Sequence, residues 1–141
     1  MISPCPQTEL SPFGDTRPKV LVVEDDADMG WLLCDRLKSQ GYEALHTTSG
    51  EESLQLAAAE LPDLILMDLR LPGIDGLTVC QLLAEDPDTA RIPVIVVSGM
   101  ESPNIIRRVR AAGSQYFLRK PYDPNALLVL IEHTIGVREV W

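Results

Sequence analysis

Residues 21–28, LVVEDDAD, pass without a spacer from an apolar run into a cluster of acids. The apolar part has the β-branched and aliphatic composition of a strand buried in a sheet. Four of the five residues that follow are acids: Glu24, Asp25, Asp26 and Asp28. Because ionised carboxylates need water or a cation, this stretch predicts a buried strand that ends at a polar cleft.

Outward from this stretch, short apolar runs alternate with segments of helical periodicity. The predicted strands cover residues 19–24, 42–47, 63–68, 92–98 and 115–119. The predicted helices cover residues 27–40, a segment around 54–61, and residues 75–84, 102–112 and 123–137. Helical crossovers make consecutive strands parallel, and parallel sheets are covered on both faces. The sequence therefore predicts an α/β fold with a doubly wound parallel sheet.

Size and charge restrict the possible functions. The chain has 141 residues and a formal net charge of −9, which favours one acidic domain and argues against binding nucleic acid or anionic lipid. We expect a disordered or loosely docked tail over 1–18, the domain over 19–137 and a short tail over 138–141. Three cysteines without a CxxC motif fit a reducing, cytoplasmic environment, and the longest apolar run is too short to span a membrane.

Chemically active side chains follow four of the five predicted strands. In a parallel sheet the carboxyl ends of the strands share one edge, where ligands bind. The residues at these ends are Glu24 and Asp25, Asp68, Ser98, and Lys120. Clustered carboxylates favour a hard divalent ion such as Mg²⁺, although acids after a strand can also cap the next helix, as we expect for Asp26 or Asp28.

Four motifs at these strand ends give the chain its resemblance to a known family. They are VLVVEDD, LILMDLRLPGIDG, VIVVSG and YFLRKPY, within about residues 18–137. The chain resembles the receiver domain of two-component response regulators, of the stand-alone CheY-like type. The resemblance implies a (βα)5 flavodoxin-like sheet of five parallel strands in the order 2-1-3-4-5. It also implies a signalling switch of a phosphorelay that accepts a phosphoryl group from a histidine kinase with Mg²⁺.

The resemblance also implies roles for individual residues. Asp68 corresponds to the phospho-acceptor, and Lys120 and Ser98 to the groups that bind phosphoryl oxygens. The implied Mg²⁺ ligands are Glu24, Asp25, Asp68 and the main-chain carbonyl of Arg70. Ser98 and Phe117 correspond to the pair that moves on activation. The Lys120–Pro121 peptide bond is expected to be cis.

A receiver that acts alone needs partner proteins. We expect a histidine kinase or phosphotransfer protein and a downstream target as partners. Helices 102–112 and 123–137 are the candidate face for a homodimer. We do not expect an enzyme beyond self-phosphorylation and autodephosphorylation. One alternative is a phosphorylation-independent adaptor. Another is a Mg²⁺-dependent aspartyl-phosphate phosphohydrolase, which commonly needs DxD where this chain has DLR at 68–70.

Overall fold

Five strands form one parallel sheet in the order β2-β1-β3-β4-β5, which confirms the predicted fold and strand order. The computed structural model describes residues 17–99 and 103–139, and for 137–139 only the backbone. The strands are β1 (Lys19–Val23), β2 (Glu43–Thr47), β3 (Leu64–Asp68), β4 (Val94–Ser98) and β5 (Tyr116–Arg119). The helices are α1 (Ala27–Ser39), α2 (Gly50–Glu60), α3 (Gly76–Glu85), α4 (Ile105–Ala111) and α5 (Pro124–Glu139).

Several predicted boundaries differ from the structure, and others cannot be compared with it. Residues 1–16 of the predicted tail lie outside the described residues. Helix α4 begins at Ile105, after a turn at 103–104, and not at the predicted residue 102, which is also outside the described part. Helix α5 continues to Glu139, two residues beyond its predicted end at 137, and 140–141 are not described.

The core has two halves because side chains of a strand alternate between the two faces of the sheet. On β1, Leu21 and Val23 pack with residues of α2, α3 and α4, whereas Val20 and Val22 pack with residues of α1 and α5. All four side chains are at most 1% exposed. The double coverage explains why the strands β1, β3 and β4 contain unbroken apolar runs, over 20–23, 64–67 and 94–97.

One of the acids that follow β1 has a structural role, as the N-cap of α1. Asp26 is the N-cap of α1, and its side chain accepts hydrogen bonds from the main-chain nitrogens of Asp28 and Met29 at 3.0 and 3.2 Å. Of the two acids expected as candidates, Asp26 is therefore the cap. Glu24 and Asp25 do not cap this helix, which leaves their carboxylates for another role.

The buried face of α1 differs from the one that its periodicity predicts. Met29, Leu32, Leu33 and Leu37 recur at helical spacing, which indicates one apolar face, but Met29 and Leu32 are 47% and 65% exposed. Leu37, which shares that spacing, is buried. Gly30 is also buried, and it packs so closely on His46 that a Cβ atom would overlap the ring nitrogen Nε2. This contact between α1 and β2 fixes the rotation of the helix. Within the described ranges, no helix has the length and apolar character needed to cross a bilayer.

Candidate functional site

Three carboxylates meet at the carboxyl edge of the sheet. Glu24 and Asp25 follow β1, and Asp68 ends the neighbouring β3, where Val23 pairs with Met67 in register. Each carboxylate offers an oxygen atom within 4.8 Å of those of the other two. The parallel register of two adjacent strands thus brings together acids that are more than forty residues apart in the sequence.

Lys120 follows β5, the edge strand two positions from β3 in the sheet, and its side chain reaches this cluster. Its Nζ donates hydrogen bonds to Glu24 Oε1 at 2.9 Å and to Asp68 Oδ2 at 3.3 Å. The main-chain nitrogen of Lys120 donates to the carbonyl of Ser98 at 2.9 Å, which ties the end of β5 to the end of β4. The Lys120–Pro121 bond is cis, as expected. Four residues from three strand ends therefore form one contiguous ionic site.

The other oxygen of Asp68 is also engaged. The main-chain nitrogen of Arg70 donates to Asp68 Oδ1 at 3.0 Å. Arg70 has an exposed side chain, and it lines an open surface cavity together with Asp25 and the loop that follows β3. Asp68 is only 7% exposed, but its carboxylate offers an oxygen within 4.8 Å of one of Asp25, which lines this cavity. An incoming group can therefore approach the site from the Asp25–Arg70 side.

The site carries an excess of negative charge. Burial, and next the neighbouring carboxylate of Asp68, raise the pKa of Glu24 from 4.5 to about 7, although the hydrogen bond from Lys120 acts in the opposite direction. Burial lowers the pKa of Lys120, but its bonds and charge interactions with Glu24 and Asp68 outweigh burial, and the net change is upward. One lysine does not balance three carboxylates. The donor set fits a hard divalent cation such as Mg²⁺, which prefers oxygen ligands and would neutralise the remaining charge.

Ser98 and Phe117 lie on one face of the sheet. Ser98 ends β4, is fully buried and pairs in register with Arg119, and Asp68 pairs with the adjacent Val97. Phe117 lies two residues before Arg119 and packs in the core half that contains α4. The Phe117 ring also lines a cavity of about 200 Å³ between β5 and α4. Ser98 and Phe117 thus lie between the carboxylate cluster and an outer helix.

Two residues of the site region were not identified from the sequence as parts of it. His46 is buried, with its Nε2 2.9 Å from the main-chain oxygen of Glu24. Tyr122 lines a small cavity with Glu24, Asp68 and Lys120, and burial raises the pKa of its hydroxyl. His46 belongs to no spacing pattern that a single sequence reveals, whereas Tyr122 is the last residue of the motif YFLRKPY, to which no role was assigned.

Comparisons with a family profile and with individual sequences both match response regulators. The profile described as response regulator receiver domain matches residues 20–132. The polar-differentiation response regulators DivK of Brucella ovis and Brucella anthropi are 36% and 35% identical to this chain over 117 residues. These matches cover 83% of this chain and 95% of each relative.

Solved structures agree with these sequence matches. A response regulator from Chloroflexus aurantiacus superimposes with a TM-score of 0.80 at 30% identity, covering 86% of this chain and 99% of that one. The BeF3-activated N-terminal receiver domain of RstA from Klebsiella pneumoniae gives a TM-score of 0.77 at 26% identity, covering 83% and 97%. A CheY-like receiver domain protein from Methanospirillum hungatei, at 24% identity and a TM-score of 0.83 over 88% and 98%, supports the fold alone.

Proposed function

This chain belongs to the response regulator receiver domain family, and from that premise we propose that it is a phosphorylatable signalling switch. The observation that carries the proposal is the position of Asp68, whose carboxylate lies in a cluster of three acids and accepts a hydrogen bond from Lys120 at 3.3 Å. A phosphoryl group brings additional negative charge to this carboxylate. Catalysis of its transfer therefore depends mainly on neutralising charge and holding the reacting atoms in place.

In the proposed reaction, an oxygen of Asp68 attacks the phosphorus atom of a phosphohistidine on a histidine kinase or phosphotransfer protein. The new P–O bond forms as the P–N bond breaks, and the imidazole nitrogen keeps the electron pair of the broken bond. Arg70 N and Lys120 Nζ already contact Asp68 and fix the direction in which its oxygens point. Lys120 can then neutralise charge on the transferred group, and the hydroxyl of Ser98 can donate a hydrogen bond to one of its oxygens.

The residues that would hold Mg²⁺ are Glu24, Asp25, Asp68 and the main-chain carbonyl of Arg70. When bound there, the ion would supply positive charge for the oxygens of the transferred group. Lys120 pairs with Glu24 and Asp68 and so neutralises part of the negative charge of the cluster. The ion would neutralise the rest.

Phosphorylation of Asp68 would change the protein surface through Ser98 and Phe117. The acyl phosphate carries about −1.5 to −2 charges and new acceptor oxygens, and these attract the hydroxyl of Ser98. Movement of Ser98 frees space on the face where Phe117 packs, and the cavity beside α4 gives its ring room to turn. A local change of charge thereby alters the surface that a downstream protein binds.

We also propose that the chain acts in the cytoplasm through protein partners and is not an enzyme with a separate substrate. Its covalent chemistry is then limited to the formation and hydrolysis of its own aspartyl phosphate. The predicted homodimer through α4 and α5 remains part of this proposal, and size-exclusion chromatography before and after phosphorylation tests it.

Incubation with acetyl phosphate and Mg²⁺, followed by intact mass spectrometry, tests the proposed switch. We expect one phosphoryl adduct that is lost on chelation of Mg²⁺ before the reaction and in Asp68→Asn. Asp88→Asn removes an exposed carboxylate elsewhere and should retain the adduct. No adduct in the wild type would favour the adaptor and contradict the switch. Rapid turnover of an added phosphomonoester would favour the hydrolase.

A further inference from the structure

The loop between β1 and α1 carries Glu24 and Asp25, and β2 holds its main chain. The main-chain nitrogen of Glu24 donates to the carbonyl of Thr47, the last residue of β2, at 3.1 Å. The carbonyl oxygen of Glu24 lies 2.9 Å from Nε2 of the His46 side chain. Because a carbonyl oxygen can only accept, Nε2 carries the proton of this hydrogen bond. Both main-chain polar groups of Glu24 are therefore bonded to residues of β2.

The His46 side chain takes the place of a main-chain donor. If the parallel ladder continued past Thr47, the next donor to the Glu24 carbonyl would be the main-chain nitrogen of Ser49. Strand β2 ends at Thr47, however, and the chain turns there into α2, whose N-cap is Ser49. The main-chain nitrogen of Ser49 donates to Thr47 Oγ1 at 3.3 Å. His46 thus supplies the hydrogen bond that the ladder would otherwise give to Glu24.

The His46 ring is held in position by α1. It is 2% exposed, and it packs so closely on Gly30 that a Cβ atom at this position would overlap the ring. The main-chain nitrogen of Gly30 donates to the carbonyl of Asp26, the N-cap of α1, at 2.9 Å. The first turn of α1 therefore fixes the wall against which the ring rests. Glycine at position 30 leaves the space that lets the ring reach the Glu24 carbonyl.

The two acids that follow β1 differ in what positions them. The carboxylate of Glu24 accepts hydrogen bonds from Lys120 Nζ at 2.9 Å and from the main-chain nitrogen of Asp26 at 3.3 Å. Asp25 is exposed and forms no ion pair with a residue of the described ranges. The Glu24 carbonyl belongs to the planar peptide unit that leads into Asp25, so its bond with His46 fixes the orientation of that unit. The position of the Asp25 carboxylate thus depends on main-chain contacts.

We propose that His46 is a positioning residue of the candidate Mg²⁺ site, because its hydrogen bond holds the Glu24–Asp25 peptide in the orientation in which Asp25 can bind the ion. This inference rests on the proposed function, since it names what sets the ion affinity of the same site. His46 is bonded to a main-chain oxygen and supplies no ligand. Without this bond the peptide unit must be ordered when the ion binds, and that ordering lowers affinity. Loss of His46 therefore weakens ion binding without abolishing it.

The test measures Mg²⁺ binding to the full-length unphosphorylated protein by ¹⁵N NMR titration, with the amide signals of Asp25 and Arg70 as reporters. His46→Leu keeps an apolar side chain of similar size but removes the donor to the Glu24 carbonyl. It should raise the Kd for Mg²⁺ roughly tenfold. His46→Gln can place an amide N–H near the position of Nε2, so its Kd should stay within about threefold of the wild-type value.

Ser114→Ala is a matched control, because it also removes a buried side-chain donor to a main-chain carbonyl. Ser114 Oγ donates to the carbonyl of Val94 at 2.7 Å, at the start of β4 and thus at the opposite edge of the sheet. Urea denaturation should show that both His46→Leu and Ser114→Ala are less stable than the wild type. Only His46→Leu should bind Mg²⁺ more weakly. An equal loss of affinity in the two variants would reveal a general effect of stability and overturn the proposal.

Gly30→Ala tests the same contact without removing the imidazole. The added methyl group overlaps the His46 ring and displaces it from the Glu24 carbonyl, so the Kd for Mg²⁺ should rise about threefold or more. This variant keeps the test decisive even if His46→Leu does not fold. An unchanged Kd in folded His46→Leu or in Gly30→Ala would overturn the proposal, as would a loss in His46→Gln as large as that in His46→Leu.

The rate of phosphorylation by acetyl phosphate separates this role from the proposed function. In His46→Leu, the Mg²⁺ concentration that gives half the maximal rate should rise with the Kd, whereas the rate at saturating Mg²⁺ should fall less than about threefold. If the Kd values change as described but Asp68 accepts no phosphoryl group, the proposed function fails and the positioning role stands. If the wild type is phosphorylated and His46→Leu binds Mg²⁺ equally well, only the positioning role is refuted. A wild type that binds no Mg²⁺ contradicts both.

Discussion

Replacing Glu24 with Gln should change how the stability of the metal-free protein depends on pH. Glu24 is 8% exposed, and burial and the neighbouring carboxylates raise its pKa from 4.5 to about 7. The folded state therefore binds the proton of Glu24 more tightly than the unfolded state does. The stabilisation from this proton is fully present below pH 4.5 and is lost as the pH rises through about 7.

The pKa difference sets the size of the effect. At roughly 1.4 kcal/mol per pH unit, the gap between 4.5 and about 7 is worth at most about 3.5 kcal/mol. Water at the mouth of the cleft screens part of this energy, since the Lys120 side chain beside Glu24 is 31% exposed. We therefore expect the free energy of unfolding of the wild type to fall by about 2 kcal/mol relative to Glu24→Gln between about pH 4.5 and pH 7.5.

Urea denaturation in the presence of a chelator, repeated across this pH range, measures the difference between the two proteins. Taking the difference removes the contribution of groups that titrate in both. Glu85→Gln, which removes an exposed carboxylate at the end of α3, should follow the wild-type curve. Because Mg²⁺ binds the ionised carboxylates, adding it should stabilise the wild type most at the upper end of the range. Parallel curves for wild type and Glu24→Gln would refute the argument that Glu24 is destabilised by burial and repulsion.

Three further predictions follow from other contacts. Lys120→Met should lower the free energy of unfolding by about 1–3 kcal/mol at neutral pH, because two largely buried carboxylates lose their cation, and Mg²⁺ should restore part of the loss in urea denaturation. Gly30→Ala should destabilise the folded protein by about 1–3 kcal/mol, because its Cβ would overlap the His46 ring. Gly136→Ala, where no atom lies within 4 Å of the added Cβ, should stabilise it by about 0.5–1 kcal/mol. Thermal unfolding measures both changes. Burial raises the pKa of Cys80 to about 12, so its thiol should react slowly with an alkylating reagent. Mass spectrometry should find Cys80 unalkylated in the native protein at about pH 8 and alkylated after unfolding. Rapid alkylation of the native protein would contradict the burial of Cys80.

Much of the fold could be predicted because the central strands β1, β3 and β4 contain unbroken apolar runs, over 20–23, 64–67 and 94–97. A parallel sheet aligns the ends of its strands, so the residues after 19–24, 63–68 and 115–119 were predicted to share one edge, and the structure brings Glu24, Asp68 and Lys120 together there. That prediction needed only the order of the elements. It did not need the pairing of any side chain.

Details that depend on tertiary contacts could not be predicted in this way. Periodicity showed that α1 is amphipathic, but the contact between Gly30 and His46 decides which of two adjacent stripes is buried, and it leaves Met29 and Leu32 exposed. The bond between His46 and the carbonyl of Glu24 likewise joins residues on neighbouring strands. The roles of Asp68, Lys120 and Ser98 in phosphotransfer remain predictions that the proposed experiments test.

The ionic contacts of Lys120 join residues that are far apart in the sequence: 96 positions to Glu24 and 52 to Asp68. During synthesis on the ribosome, the acids emerge long before the lysine that pairs with them. The strand that carries the lysine lies at the margin of the sheet and is the last strand to be made. An incomplete chain therefore presents acids without their ammonium partner, and any chemistry that requires all of these groups begins only when translation has passed residue 120 and β5 has docked.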